Sequence, residues 1–398
     1  IDQLEDRGRF YEFMQRVDVP HIPGVTGYDR EDVLQKAETV GYPILLRPSY
    51  VIGGQGMAIL TNKEELESYL SSVNENVEYP ILIDAFLPGK ELEVDVLTDG
   101  HDIFIPGMFE HVEPAGVHSG DSMAVTPPFS LDETTKELAV QYAQNIAKGM
   151  DFKGIFNIQF VYENGRLYVI EINPRASRTV PIFSKVTGVK MVEGAVQMLL
   201  GTSVKKWSGG KTGILEETPY YTVKAPVFSN EKLAGIDPLL EADMKSTGEL
   251  IAMAKDTKEA FQKALPWSES QIPLLFKKKG LVFCDIDESQ VAASLPALKQ
   301  LKELGCTLVT DSDTDFADQV MSFDQWITNE ESAAYLSFPK TGHSTGKARR
   351  QQALKQRKTI VTNPQTFTLM AEAMTGTMKE PQAIDEWLEQ FTEVYEGV

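Results

Sequence analysis

Apolar residues recur along the chain at two spacings, one near 3.6 residues and one of two, and the switches between them mark out elements. "EDRGRFYEFMQRV" carries apolar residues at helical spacing, and "PHIPGVTGYD" breaks it. "REDVLQKAETVG" predicts a second helix, with Gly41 in the stop position. "YPILLRPS" reads as a strand, "YVIGGQGM" as a glycine-rich turn and "MAILT" as the returning strand. "NKEELESYLSSV" predicts a helix capped by Asn62. "PILIDAFL" and "ELEVDVLTDG" predict strands, the second alternating as a half-buried strand does. "DETTKELAVQYAQNIAKGM" is a long amphipathic helix, and "GVKMVEGAVQMLLG" is another. Between them, "GIFNIQFVYENGRLYVIEINP" predicts a hairpin closed by Asn164-Gly165, a strong turn pair.

From about Val204 to Gln271 the pattern is irregular. After Gly280 it changes character. Strand "GLVFCDI", helix "ESQVAASLPALKQLKELG", strand "CTLVT", and later "KTIVT" followed by "FTLMAEAM" predict a small parallel-sheet α/β unit with helices on both faces. The division expected is residues 1–203, a connecting region 204–270, and an α/β unit 271–398.

Composition narrows the function classes. The 398 residues are 42% hydrophobic and 24% charged, enough for two or three domains with ordinary cores. A formal net charge of -20 repels nucleic acid on average, while leaving room for a local anion site. No apolar run approaches the ~20 residues of a membrane span, and no signal peptide opens the chain. The expectation is therefore no nucleic acid, no membrane, and a cytoplasmic protein. Cys284 and Cys306 fit no metal spacing and read as two reduced buried thiols. The chain begins at Ile1 without Met, so a portion of something longer is expected.

Charge placement changes the picture most at "LYVIEINPRASRTVP", Leu167 to Pro181. A buried-looking strand there runs into Glu171, Asn173, Arg175 and Arg178, and buried charge needs a partner or a metal. Beside it, "FNIQF" would let Gln159, Glu171 and Asn173 point the same way. Hard oxygen ligands of this kind suit Mg²⁺ or Mn²⁺ completed by water and phosphate oxygens. Taken singly, Gln159 reads more readily as part of a solvated sheet face; the Glu-x-Asn-Pro-Arg run is more specific. Arg47 ends an apolar strand before the "GGQG" loop, whose glycines allow backbone N–H groups close to phosphate. That loop is not a dinucleotide fingerprint. "SGGKTG" at 208–213 is not a P-loop, because Lys205 stands where the first glycine would have to be. The bend at Pro88-Gly89 before Glu91 suits adenine and ribose recognition as well as it suits a polar hairpin. His111 and His118, in "EHVEPAGVHSGDS", are too few for a zinc site.

"EDRGRF", "LLRPSYVIGGQGM", "LIDAFLPGKELEVDV", "EHVEPAGVHSGDS", "FNIQF", "VIEINPRASRTVPIFSKVTG" and "DPLLEADMKSTGE" together resemble the second, C-terminal ATP-grasp unit of the carbamoyl phosphate synthetase large subunit, in order from Leu4 to Leu265. The residues after about 270 resemble, more weakly, the methylglyoxal-synthase-like regulatory domain that follows it. The resemblance implies an α+β ATP-grasp fold followed by that small α/β domain, with ATP and Mg²⁺ or Mn²⁺ as cofactors. It implies Gln159, Glu171 and Asn173 as metal ligands, the first two also facing ATP, and Arg7 and Arg47 on the phosphates. Asp84 and Leu87 would line the adenine pocket and Glu91 the ribose. Gly116, Val117, His118 and Ser119 would form a loop against the nucleotide, and Arg175 and Arg178 would neutralise the phosphoryl group in flight. The implied reaction is phosphorylation of carbamate. The implied partners are a glutaminase small subunit, the remaining N-terminal half of the large subunit and a possible homo-oligomer. Another ATP-grasp carboxylate–amine ligase, or a silent regulatory or assembly module, are the competing readings. In the last domain the resemblance breaks down locally. "VTDSDTD" and "DIDES" put Asp311, Asp313 and Asp315 where a phosphorylated effector would want donors, so loss of a pyrimidine-nucleotide site is expected. One basic run, "HSTGKARR", is read as a solvated helix start rather than an anion site.

Overall fold

Three sheets organise the chain in a computed structural model that describes residues 4, 6–48, 57–72, 79–229, 235–268, 279–375 and 382–390. The glycine-rich turn at 49–56 and the expected boundary near 270 lie outside the described residues. The first sheet is antiparallel: β1 (Gly24–Gly27), β2 (Ile44–Pro48), β3 (Ala58–Leu60) and β4 (Ile81–Ala85), in the order β1-β4-β2-β3. Two helices cover it, Arg30–Val40 and Lys63–Ser72. Gly41 ends the first at φ 85°, as the sequence predicts. Asn62 caps the second, its side-chain oxygen accepting from Glu65 N at 2.9 Å.

The second sheet holds β5 (Lys90–Thr98), β6 (Ile103–Ile105), β7 (Met108–His111), β8 (Ala124–Thr126), β9 (Gly154–Glu163), β10 (Arg166–Asn173), β11 (Gly213–Ile214), β12 (Tyr221–Val227) and β13 (Gly248–Ala254). Its main path is β10-β9-β5-β7-β8-β12-β13. The region from Val204 to Gln271, read as irregular, thus contributes three strands to this sheet, β11, β12 and β13, and then the helix Thr257–Ser268. Their sequence signal is weak because β12 carries Lys224 in a buried position and contains Pro226. A helix at Thr179–Thr187, after Arg178, adds an element that the sequence pattern does not predict. "SGGKTG" is the turn into β11 and opens no helix.

One face of β5, β9 and β10 packs against the helices Arg7–Arg16 and Glu133–Gly149 through Leu92, Val94, Ile158, Phe160, Val169 and Ile172. The Asn164-Gly165 turn, with φ 49° and 78°, closes the hairpin as expected. β10 carries an irregularity between Val169 and Glu171: Val169 pairs with Phe160, and Glu171 with Gln159. The extra residue reverses the facing of the strand. Leu167 and Val169 point into the core before it, Ile172 after it, and Glu171 and Asn173 emerge on the other face.

The third sheet is wholly parallel: β14 (Leu281–Ile286), β15 (Thr307–Thr310), β16 (Gln319–Val320), β17 (Ser332–Phe338) and β18 (Thr359–Val361), ordered β16-β15-β14-β17-β18. Helices lie on both faces, as expected. Val282, Cys284, Leu308 and Leu336 turn to one side, and Phe283, Val309 and Tyr335 to the other. The first of these cores is continuous with the second sheet, joining Val125, Val223, Ala254 and Phe261 to Leu298, Phe367 and Met370. Cys284 and Cys306 are buried and unbonded to each other. Among the described residues no helix is long and apolar enough to cross a membrane.

Candidate active site

β5, β9 and β10 lie side by side, and their register sets two rows of polar residues across the face opposite the core. Glu171 pairs with Gln159 and Gln159 with Glu93; Asn173 pairs with Asn157 and Asn157 with Asp95. Directly paired residues share a face, as do residues two apart. Gln159, Glu171 and Asn173 are legible in the sequence, and on β5 Glu91. The pattern Glu-Leu-Glu-Val-Asp also carries Glu93 and Asp95 into this floor, and that alternation was the available signal.

The floor is tightly bonded. Asn157 Nδ2 donates to Glu93 Oε1 at 3.0 Å and Asp95 Oδ1 at 3.1 Å. Ser177 Oγ donates to Asp95 Oδ2 at 2.8 Å, and Thr179 Oγ1 also donates to that oxygen. His111 stands between two carboxylates: Nε2 is 3.4 Å from Glu93 Oε2, and Nδ1 is 3.4 Å from Glu91 Oε2 without hydrogen-bond alignment. Burial pushes the Glu91 carboxyl up to about 7, against the pull of His111 and the Gly116 N–H. Asp95 is raised by burial and by Glu93. Burial acts on Glu93 in the same direction, but His111, Lys224 and Asn157 outweigh it and hold Glu93 below its usual range.

Gly116, Val117, His118 and Ser119 form a loop over this floor. Gly116 takes φ 101°, and a Cβ there would lie 3.0 Å from Phe86 and 3.1 Å from Ile59, so the loop passes close under the first sheet. Ser119 Oγ accepts from Gln159 Nε2 at 3.2 Å, and Ser119 O from the buried Lys224 Nζ at 2.8 Å. His118 Nδ1 accepts from Gly120 N at 3.0 Å, and burial holds its imidazole below the usual range. Neither Lys224 nor Asp121, which anchors the loop from beneath, was picked out from sequence. Their partners lie about a hundred residues away in the chain.

The remaining candidates are more scattered. Arg47 and Asp84 meet on the first sheet, with Nη2 2.8 Å from Oδ2; Tyr11 Oη donates to the same carboxylate at 2.8 Å. Asp84, expected at the adenine pocket, is thus engaged by Arg47 and Tyr11. Leu87 is half-buried in the connection from β4 to β5. Arg178 Nη1 lies 3.3 Å from Glu249 Oε1 and 3.3 Å from Ser246 Oγ. Arg175 is exposed, donating to Ala176 O at 3.3 Å. Arg7 opens the first helix, and its side chain lies outside what is described. A cavity of about 540 Å³ runs behind the loop, between the first sheet and the parallel-sheet unit. It reaches Gly116 and Val117 but touches none of Gln159, Glu171 or Asn173.

Among the described residues no group of three or more His, Cys, Asp or Glu is arranged to hold a metal. A cation at the floor would therefore rest on Glu171 and two amide oxygens. The donors fit: Asn173 Nδ2 donates to Glu171 Oε1 at 2.8 Å and Gln159 Nε2 to Ser119, which leaves both amide oxygens for a hard cation.

Residues 6–207 match the family described as the carbamoyl-phosphate synthase L chain, ATP binding domain. The arginine-specific large chain of carbamoyl phosphate synthase from Halalkalibacterium halodurans is 56% identical over 381 residues, 96% of this chain and 36% of that one. The arginine-specific large chain from Geobacillus stearothermophilus is 41% identical over 399 residues, spanning all of this chain and again 36% of the relative. This chain thus spans about a third of the length of the curated relatives it matches. Among solved structures, biotin carboxylase from Campylobacter jejuni, in complex with β-γ-ATP, superposes with a TM-score of 0.52 at 19% identity, over 65% of each chain. That likeness establishes the ATP-grasp fold.

Proposed function

The chain belongs to the carbamoyl phosphate synthase large-chain family, and from that premise we propose that it phosphorylates carbamate with ATP, giving carbamoyl phosphate and ADP. The observation that carries this reading is the double polar row across β5, β9 and β10 beneath the loop Gly116–Ser119. In the proposed reaction a carbamate oxygen attacks the γ-phosphorus and the bond to the ADP oxygen breaks. Bound at Gln159, Glu171 and Asn173, Mg²⁺ or Mn²⁺ would neutralise charge on the phosphate oxygens. Arg47, held by Asp84, would contact the phosphates, and Arg178 and Arg175 would offset charge on the transferring group. Glu91, buried beside Gly116, receives the ribose hydroxyls; Leu87 and the connection around it receive adenine. The loop and first sheet together exclude water, which carbamate requires because it decomposes in water.

The division that suits this chemistry is an ATP-grasp domain at 1–203, completed by 204–270, and a methylglyoxal-synthase-like regulatory domain at 271–398. Within a whole enzyme the partners would be the glutaminase small subunit and the rest of the large chain, in the cytoplasm, serving arginine synthesis. ATP formation from MgADP and carbamoyl phosphate tests the reading. Glu171→Ala should abolish it with the fold intact, and Asn173→Ala should reduce it less, because a neutral ligand contributes less charge stabilisation. Unchanged turnover in both variants would remove the metal assignment. A wild-type protein that binds MgATP but makes no ATP from carbamoyl phosphate would point instead to another ATP-grasp ligase.

A further inference from the structure

The basic run read as a solvated helix start contains a cation that is fully buried. Arg350, on the helix Lys347–Lys355, is 0% exposed. All five of its N–H donors are used. Nε and Nη2 grip the two oxygens of Asp237 at 2.6 and 2.7 Å. Nη1 donates to Thr345 O at 2.6 Å and Ser337 Oγ at 3.1 Å, and Nη2 to Ser344 O at 3.1 Å. A bidentate guanidinium–carboxylate pair fixes orientation as well as distance. Asp237 belongs to another part of the chain, the segment leading into β13. The next residue along the helix, Gln351, ties the same segment by donating to Gly235 O at 2.5 Å.

From Asp237 the segment runs straight to the nucleotide loop. Leu239 N donates to Asp237 Oδ1 at 3.1 Å. Glu241 O accepts from His118 N at 2.8 Å. Lys245 N and Ser246 N donate to the two oxygens of the fully buried Asp121 at 2.7 and 2.8 Å. Ser246 Oγ donates to Gly120 O at 3.0 Å. The same stretch meets Arg178, whose Nη2 lies 2.8 Å from Met244 Sδ and whose Nη1 reaches Ser246. Residues 237–246 thus contact Arg350 at one end and, at the other, both the loop over the nucleotide floor and an arginine assigned to the phosphoryl group.

We propose that Arg350 is a positioning residue of the phosphoryl-transfer site: by clamping Asp237 it sets the segment 237–246, which in turn holds His118–Asp121 and Arg178 in place. The parallel-sheet unit is then a structural part of the active site. This rests on the nucleotide-site reading above.

The test compares Arg350→Met, Arg350→Lys and the double variant Arg350→Met/Asp237→Leu in the intact enzyme. The double variant replaces a buried pair with apolar groups, which often preserves stability. Its melting temperature should stay near the wild-type value, while the KM for MgADP rises about tenfold and kcat also falls. Arg350→Lys keeps the charge but not the fork, so it should recover melting temperature more fully than KM. A stable double variant with wild-type KM and kcat would overturn the proposal. Amide exchange at 118–122 gives a readout independent of activity. It should speed up about tenfold in the double variant, with β9 unchanged, and unchanged exchange there would also overturn it. If a variant does not fold, Asp237→Asn, which removes the charge and keeps the shape, takes its place. An inactive wild type would count against the proposed reaction, and the exchange experiment would still decide the clamp.

Discussion

At the scale of residues, burial raises two carboxyls of the site, Glu91 and Asp95. Glu91 is the clearest, 7% exposed, with its carboxyl pushed up to about 7. An acid whose folded pKa lies above its unfolded value near 4.5 stabilises the fold fully below 4.5 and loses that contribution as pH rises through 7. The groups facing it are His111, Gly116 N–H, Glu93 and Glu171, so the dependence is a property of this cluster. Glu91→Gln removes the titration. Melting temperature against pH should therefore fall less steeply between 4.5 and 7 in the variant than in the wild type, with a difference on the order of 1–3 kcal/mol at pH 7. Parallel curves would show that Glu91 keeps an ordinary pKa. Gln159, Glu171 and Asn173 were readable because all three lie in one hairpin. Glu93 and Asp95 were readable in principle from the Glu-x-Glu-x-Asp alternation on the neighbouring strand.

At the scale of elements, the crevice at the carboxyl ends of β14 and β17 is where an open parallel sheet of this order ordinarily takes a ligand. Here it contains an internal ion cluster. Arg349 Nη1 lies 2.6 Å from Asp311 Oδ2 and 3.4 Å from Asp285 Oδ2, and the guanidinium sits over the rings of Phe283 and Phe323 at 5.9 and 5.3 Å. Asp285 also accepts from Tyr335 Oη at 2.8 Å. A phosphate entering this crevice would meet carboxylates already neutralising its natural arginine, and would gain no donor from them. Titration of UMP into the protein should therefore give no saturable heat. Tight stoichiometric UMP binding that is lost in Lys347→Ala would show that the helix start at Lys347 still serves an anion. The acidic loops here are legible in the sequence. That Arg349 is drawn into them is not, because helix start and loops meet only through the sheet.

At the scale of the whole molecule, the parallel-sheet unit and the second sheet share one apolar core, with Phe261 and Leu265 on one side and Phe367 and Met370 on the other, all 0 or 1% exposed. Such a core couples the two parts. Phe367→Ala should destabilise by about 3–5 kcal/mol, and calorimetry should record one transition in wild type and variant alike. Two separated transitions would show that the units unfold independently.

The sequence by itself determined much, though not all, of the local content of this protein. It determined the helices with their Asn62 and Gly41 ends, the Asn164-Gly165 hairpin, and the ligand-type residues Gln159, Glu171 and Asn173, because each depends on neighbours a few positions away. Tertiary structure alone decided which way those residues face and what holds them. The irregularity at Ile170 reverses the side on which β10 presents Glu171; strict alternation would have put that carboxylate in the core beside Val169. Nothing local marks Lys224, Asp121 and Arg350 as buried; each is satisfied by a partner more than a hundred residues away that comes within 3 Å. A buried charge is tolerated only when such a partner satisfies it. Because the chain brings those partners together only on folding, no local pattern of residues records them.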